Sequence, residues 1–110
     1  MMDSWNNIVF IGMPGAGKTT IGQALAKKLN KDFIDTDDLL KDITGMELKD
    51  YVLAKGKDGF MELQQSVILG LENHNCVIAT GGSVACDSKA IEHLKKYGRV
   101  IYLKYSYHDI

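Results

Sequence analysis

Residues 12–20 combine glycines, a lysine and hydroxyl side chains in a spacing suited to binding phosphate. The stretch reads Gly12-Met-Pro-Gly-Ala-Gly-Lys-Thr-Thr20 and satisfies the pattern G-x-x-x-x-G-K-[ST]. Glycines allow a loop to curl so that successive backbone N–H groups point at an anion. Lys18 would place an ammonium at the β- and γ-phosphates of a nucleotide, and the Thr19 hydroxyl is the expected Mg²⁺ ligand. The motif therefore predicts a site for a nucleoside triphosphate with magnesium.

This phosphate-binding motif (P-loop) requires a strand before it and a helix after it, and the sequence supplies both. Ile8–Ile11 is a short apolar run typical of a buried strand. Lys18–Leu29 is predicted to be a helix, and its positive N-terminal end adds to the attraction for phosphate. A glycine-rich turn that binds nothing is disfavoured by the full match in this context. The predicted nucleotide-binding residues are Gly12, Gly15, Ala16, Gly17, Lys18, Thr19 and Thr20.

Carboxylates follow the second predicted strand, Phe33–Asp35. Asp35 and Asp37 are two residues apart, so on an extended segment their side chains would point the same way. One could reach the Mg²⁺ shell while the other orients an acceptor hydroxyl or takes its proton. Alternatively, Asp37 or Asp38 caps the helix that contains Leu39.

The rest of the chain alternates between helical and strand patterns, which predicts an α/β fold with a parallel sheet and helices on both faces. The predicted elements are helical stripes at 39–43 and 48–52 ended by Gly45 and Gly56, a helix over Phe60–Leu71, a strand over Cys76–Ala79, a helix from Asp87-Ser88 to Gly98, and a strand over Val100–Leu103.

Composition narrows the function classes. The 110 residues carry a formal charge of -1, so no overall field attracts nucleic acid or an anionic membrane. The sequence has neither a membrane-length apolar run nor a secretory leader pattern, so we expect a cytoplasmic protein. Cys76 and Cys86 lack metal-ligand spacing. The segment Asn30-Lys31-Asp32 only half matches a GTPase base-reading motif, and the short chain favours a small-molecule kinase.

The order and spacing of these motifs resemble the shikimate kinase family along essentially the whole chain. The matching segments are 12–22, Phe33-Ile-Asp-Thr-Asp37, Thr44-Gly45, Gly56, Phe60 and Ala79-Thr-Gly-Gly82. The resemblance implies a P-loop NTPase fold with strand order 2-3-1-4 and a fifth strand missing from this chain. It also implies that ATP, with Mg²⁺, phosphorylates the 3-hydroxyl of shikimate.

The resemblance also implies roles for individual residues. Thr19 would bind Mg²⁺ and Asp35 would support the metal through its water shell. Asp37 would hold the acceptor hydroxyls and serve as the base, and Gly81 and Gly82 would offer backbone N–H groups to the acceptor. Without the resemblance, the two glycines fit a tight turn equally well. The candidate catalytic residues are Lys18 and Asp37.

The chain departs from the family pattern at the acceptor side. The family's Phe-Arg-x-x-Glu is Phe60-Met61-Glu-Leu-Gln64 here, and the third glycine after the third strand is Ser83. Replacing a bidentate arginine by methionine is expected to weaken carboxylate binding by about 3–5 kcal/mol. Lys55 or Lys57 could compensate in part as a point charge, or could simply be solvated.

We expect residues 1–110 to form a single P-loop kinase domain that is incomplete at its C-terminus. Ser106–Asp109 has the form of a capping box that opens a helix, just before Ile110. The family continues into an arginine-bearing lid and a last strand, so we expect slow turnover from the 110 residues. Three functions stay open: a shikimate-kinase-like enzyme, a kinase for another hydroxylated metabolite, and a nucleotide-binding module. The expected partners are a nucleotide and a small-molecule acceptor, bound by a monomer without nucleic acid or membrane.

Overall fold

A computed structural model describes residues 7–12, 18–71 and 75–103 and shows an α/β fold around a four-stranded parallel sheet. Numbered along the chain, its strands lie in the order 2-3-1-4, as predicted. In chain order the elements are β1 (Asn7–Gly12), α1 (Lys18–Leu29), β2 (Asp32–Asp35), α2 (Thr36–Thr44), α3 (Leu48–Leu69), β3 (Cys76–Ala79), a 3₁₀ helix (Gly82–Cys86), α4 (Ser88–Tyr97) and β4 (Gly98–Leu103). Ser106–Asp109, the predicted start of a further helix, lies outside the described residues.

Helices cover both faces of the sheet. Neighbouring residues of each strand point to opposite faces, so each strand contributes side chains to both layers. On one face, Val9 and Ile11 of β1 pack in a cluster with Ile68 of α3 and Leu94 of α4. On the other face, Phe10 packs with residues of α1. The strands are therefore apolar on both sides, which explains their continuous apolar runs and confirms the predicted layer arrangement.

Helix α1 approaches the sheet through small residues. Its regularly spaced Ile21 and Leu29 are 42% and 45% exposed, whereas Gly22 and Ala26 are buried. A Cβ atom at Gly22 would lie 2.7 Å from Cε1 of Phe33. The apolar spacing correctly predicted a helix, but the large apolar residues do not mark its buried face.

Glycines end the predicted helical stripes as expected. Gly45 has φ 69° and donates its N–H to the carbonyl of Lys41, which closes α2. Gly56, with φ 80° and ψ 167°, interrupts α3, so this helix consists of two segments joined at a kink. The two segments correspond to the two predicted helices.

Gly98 follows α4 for a different reason than predicted. It has an extended backbone, φ -172°, and is the first residue of β4. A Cβ here would lie 2.8 Å from the carbonyl oxygen of Asn7. Glycine is therefore required here by the close contact with β1, and not by a left-handed backbone conformation at the end of a helix.

None of the helices within residues 7–12, 18–71 and 75–103 has both the length and the apolar character needed to cross a membrane.

Gly22→Val should destabilise the protein because its branched methyl groups would press on Phe33 and Val77. We expect a loss of about 1–3 kcal/mol in the free energy of unfolding, measured with urea. Gln23→Val is the control, since it places the same side chain at an exposed position of the same helix, where helix propensity changes by only about a few tenths of a kcal/mol. Equal losses in the two variants would contradict the close packing of α1.

Candidate functional site

The predicted site residues that the structure describes lie where β1, β2 and β3 end. Asp35, the last residue of β2, pairs in register with Ala79 of β3, and Ala79 pairs with Phe10 of β1. Because the strands are parallel, their carboxyl ends share one edge of the sheet. Ligands of open α/β sheets bind outside this edge.

Asp35 joins the beginning of α1 to the beginning of α2. Its Oδ2 accepts a hydrogen bond from Oγ1 of Thr19 at 3.0 Å. Its Oδ1 accepts the backbone N–H groups of Asp37 at 2.9 Å and Asp38 at 3.4 Å. Asp35 is therefore the N-cap of α2, and neither Asp37 nor Asp38 has the capping role that the sequence left open.

Asp37 lies in the first turn of α2, not on an extended segment as expected. Its carboxylate is close to Gly81, where an added Cβ would come within 2.5 Å of Oδ1. The position of the Asp37 side chain relative to Asp35 is therefore set by the first turn of the helix, and not by the alternation of side chains along a strand. A side chain at position 81 would therefore displace this carboxylate.

The segment after β3 is fixed by buried hydroxyl groups. Thr80 donates both its N–H and its Oγ1 hydrogen to the carbonyl of Phe10, at 3.1 and 2.8 Å. The N–H of Gly81 donates to Oγ1 of Thr36 at 3.2 Å, and Thr36 is fully buried. In this structure the Gly81 N–H thus has a partner within the protein. The N–H groups of Gly81 and Gly82 as acceptor-binding donors stay predictions.

Met61, Gln64 and Ser83, at which the sequence departs from the family pattern, are in contact with one another. Oγ of Ser83 donates to Oε1 of Gln64 at 3.1 Å, and Nε2 of Gln64 approaches Sδ of Met61 at 3.7 Å. Gln64 is fully buried. The sequence identified these residues one by one, but only the fold shows that they form one group, which we call the Met61–Gln64–Ser83 cluster.

The predicted phosphate-binding loop is described only in part. Gly12 ends β1, Lys18 begins α1, and Thr19 and Thr20 are exposed in the first turn of that helix. Gly15, Ala16, Gly17 and the side chain of Lys18 lie outside the described residues. Their nucleotide contacts therefore stay predictions.

A magnesium ion fits the donor atoms of Thr19 and Asp35. The described residues contain no group of three or more His, Cys, Asp or Glu side chains that could hold a metal ion. Mg²⁺ does not need such a cage, because it keeps several waters and takes its remaining ligands from one or two protein oxygens and substrate phosphates. A hydroxyl oxygen beside a carboxylate oxygen at the phosphate-binding edge is a suitable donor set.

Cys76 lies at the opposite end of β3 from this edge. Cys76 is buried at the start of β3, and burial raises the pKa of its thiol, with Asp32 adding to the effect and Lys31 opposing it. Cys86 is exposed in the 3₁₀ helix. Cys76 therefore stays a neutral core thiol, in line with the absence of metal-ligand spacing.

Comparison with known proteins identifies the family. The family model for shikimate kinase matches residues 14–110. The chain belongs to the shikimate kinase family. A shikimate kinase from Clostridium botulinum is 42% identical over 99 residues, and one from Sulfurihydrogenibium is 36% identical over 105 residues. These matches cover 89% and 94% of this chain but only 58% and 63% of the relatives.

Solved structures agree with the sequence matches. The shikimate kinase of Bacteroides thetaiotaomicron superposes with a TM-score of 0.84 at 34% identity, over 88% of this chain and 58% of that one. A shikimate kinase from Acinetobacter baumannii, solved in complex with shikimate, gives 0.83 at 34% identity, over 92% and 57%. The family is built on the P-loop NTPase fold, and the observed strand order agrees with it.

The capping role of Asp35 can be separated from its charge. Asp35→Ala should lower the free energy of unfolding by about 0.5–2 kcal/mol because α2 loses its N-cap. Asp35→Asn should change it by only about a few tenths, because asparagine caps equally well. Chemical denaturation measures both variants. Equal destabilisation by the two substitutions would show that the charge, and not the cap, stabilises this corner.

Proposed function

We propose that the protein transfers the γ-phosphoryl group of ATP to a hydroxyl group of a small molecule, as shikimate kinases do. The observation that carries the proposal is the placement of Thr19, Asp35, Asp37 and Gly81 at one edge of the sheet, directly beside the phosphate-binding motif. Family membership supports the reaction type. The acceptor and the activity are proposals, because the chain spans only about three fifths of its relatives.

In the proposed reaction, the acceptor oxygen attacks the γ-phosphorus while the bond to the β,γ-bridging oxygen breaks. The electron pair of that bond leaves with ADP, and the acceptor proton passes to the carboxylate of Asp37 and then to solvent. Bound Mg²⁺ would neutralise the charge on the phosphates, next to Thr19 and Asp35. Lys18 and the loop N–H groups would orient the γ-phosphoryl group for in-line transfer.

Shikimate is the first acceptor to test, since the relatives carry its name. A specific observation favours a second candidate, a different hydroxylated metabolite. The Met61–Gln64–Ser83 cluster includes the two positions at which the family pattern has its arginine and glutamate, and it contains no positive charge to pair with an acceptor carboxylate. The nucleotide-binding module without acceptor activity is the remaining alternative.

We further propose that this kinase acts as a cytoplasmic monomer on a nucleotide and a small molecule, without nucleic acid or membrane partners. Its formal charge of -1 supports the absence of a polyanionic partner. Sedimentation of the full-length gene product would test the monomer.

A coupled assay of ADP release tests the proposal on the full-length gene product, with shikimate and a set of neutral polyols. ATP- and acceptor-dependent release of ADP is expected. If ATP·Mg binds but no acceptor is phosphorylated, the nucleotide-binding module replaces the kinase.

Lys18→Ala should abolish nucleotide binding, because the ammonium that faces the β- and γ-phosphates is lost. Calorimetric titration with ATP·Mg measures the effect, and a decrease in affinity of about 100-fold or more is expected. Lys28→Ala is the control, since this exposed lysine lies in the last turn of the same helix. Unchanged affinity in Lys18→Ala would contradict the assigned phosphate site.

Asp37→Asn should leave ATP affinity unchanged and reduce turnover by about 100-fold or more, because general base catalysis of this kind contributes about 10²–10⁴. Gly81→Ala should have the same effect by moving the Asp37 carboxylate. Steady-state kinetics and calorimetry measure both variants. Gly70→Ala is the control, because a Cβ there meets its neighbours no closer than 3.5 Å. Full activity of Asp37→Asn would exclude Asp37 as the base.

A further inference from the structure

We propose that Thr36 is a positioning residue for phosphoryl transfer, because its buried hydroxyl fixes the backbone segment against which the Asp37 carboxylate lies. This inference rests on the proposed kinase function, in which Asp37 is the base. It assigns a role at the same site to a fully buried neighbour of that base.

Thr36 and Asp37 contact the same glycine from one turn of helix. They are the first and second residues of α2. The Thr36 hydroxyl oxygen accepts the backbone N–H of Gly81 at 3.2 Å. The Asp37 carboxylate lies against Gly81, where a Cβ would come within 2.5 Å of Oδ1. Because the two residues are consecutive in a helical turn, the hydrogen bond to Thr36 sets the distance between Gly81 and the carboxylate.

The Gly81 N–H depends on Thr36 for its hydrogen bond. Gly81 is buried, and among the described residues the acceptor of its N–H is Oγ1 of Thr36. A buried N–H that loses its acceptor costs about 1–3 kcal/mol. The segment would therefore shift until the N–H finds another partner. Such a shift moves Gly81 relative to the Asp37 carboxylate.

The residue before Gly81 is held with more redundancy. Thr80 donates both its N–H and its Oγ1 hydrogen to the carbonyl of Phe10, so one of the two bonds would persist without the hydroxyl. The carbonyl of Gly81 accepts the N–H of Val84 within the 3₁₀ helix. Neither of these contacts involves α2. Thr36 supplies the hydrogen bond that ties this segment to the helix carrying the predicted base.

The Thr36 side chain is itself held in place. It is fully buried, and a β-branched side chain has few rotamers to choose from. The backbone on either side is also fixed, since Asp35 accepts the N–H of Asp37 across Thr36. The hydroxyl is therefore presented from a rigid support, as a positioning group requires.

This geometry predicts an effect on turnover and not on nucleotide affinity. A base must stand within hydrogen-bond reach of the acceptor hydroxyl, and a displacement of about 1 Å can cost about 100-fold in rate. The predicted nucleotide contacts come from residues 12–20, on the loop before α1 and in its first turn. Loss of the Thr36 hydroxyl is therefore expected to lower kcat and to leave ATP affinity unchanged.

Two pairs of variants of the full-length gene product isolate the hydroxyl. Thr36→Val replaces it by a methyl group, and Thr36→Ser differs from Thr36→Ala only in carrying it. ADP release at saturating shikimate, or at a saturating polyol if shikimate is not a substrate, gives kcat. We expect kcat to fall about tenfold or more in Thr36→Val and Thr36→Ala, and to stay within about threefold of the wild type in Thr36→Ser. Calorimetry should give unchanged ATP·Mg affinity in all three.

Thr44→Val is the matched control. Thr44 is the last residue of α2, about 12 Å along the helix from Thr36. Its hydroxyl accepts the N–H of Met46 at 3.2 Å and donates to the carbonyl of Leu40 at 2.9 Å. The substitution changes the same atoms and also leaves a backbone N–H without its acceptor, so stability in urea should fall while kcat is retained. A purely structural role for Thr36 predicts the same behaviour for Thr36→Val.

The outcomes separate this inference from the kinase function. A loss of kcat in the two variants without the hydroxyl, with recovery in Thr36→Ser, supports the positioning role. A loss smaller than tenfold, an equal loss in Thr36→Ser and Thr36→Ala, or a parallel loss of ATP affinity overturns it and leaves the kinase intact. If Thr36→Val does not fold, the serine and alanine variants decide.

If the wild type phosphorylates no acceptor, the kinase proposal fails, and crystal structures of the wild type and Thr36→Ala decide the geometric claim. A separation between Gly81 and the Asp37 carboxylate that changes by about 0.5 Å or more supports the link through Thr36. An unchanged separation overturns it.

Discussion

The site depends on one carboxylate, that of Asp35, which accepts hydrogen bonds from two helices at once. One oxygen accepts from Thr19 at the start of α1, and the other caps α2. Asp35 is the last residue of β2 and pairs with β3. The sheet therefore fixes the positions of both helix N-termini. The positive ends of two helices thus lie near the same strand ends, where they favour bound anions.

The position of Asp37 follows from this arrangement. Once Asp35 caps α2, Asp37 falls in the first helical turn, and its carboxylate is brought against Gly81 after β3. Thr36 and Thr80 hold that segment through buried hydroxyl contacts with Gly81 and Phe10. The predicted base and the segment after β3 are therefore positioned by hydrogen bonds within the protein. Such preorganisation reduces the entropy that ordering the site would otherwise cost.

Much of this could be predicted from the sequence, since strong local patterns determined it. Apolar runs, glycine stops and the P-loop predicted the α/β fold, the strand order came with the family resemblance, and the kink at Gly56 matched a predicted helix end. Features that depend on tertiary distance could not be predicted. The buried face of α1 is set by how closely Gly22 approaches Phe33, and the glycine at position 98 is required by contact with Asn7 rather than by a helix end. Gln64 and Ser83 are 19 residues apart in the sequence. The sequence shows only that each departs from the family pattern, and it does not indicate that the two are in contact.

These departures fit one physical description. Methionine and glutamine replace the arginine and glutamate of the family pattern, serine replaces a glycine, and in the fold the three side chains contact one another. A site that had merely lost its arginine would leave a buried carboxylate without a counter-ion, which is strongly destabilising. The neutral cluster avoids that cost, so the three departures from the family pattern are compatible with a stable fold.

The most direct test of the central claim is a crystal structure of the full-length protein with a non-hydrolysable ATP analogue and magnesium. The account predicts triphosphate density along residues 12–20, with a magnesium ion beside Oγ1 of Thr19 and the Asp35 carboxylate within its water shell. Triphosphate bound elsewhere, or no bound nucleotide at saturating concentration, would contradict it.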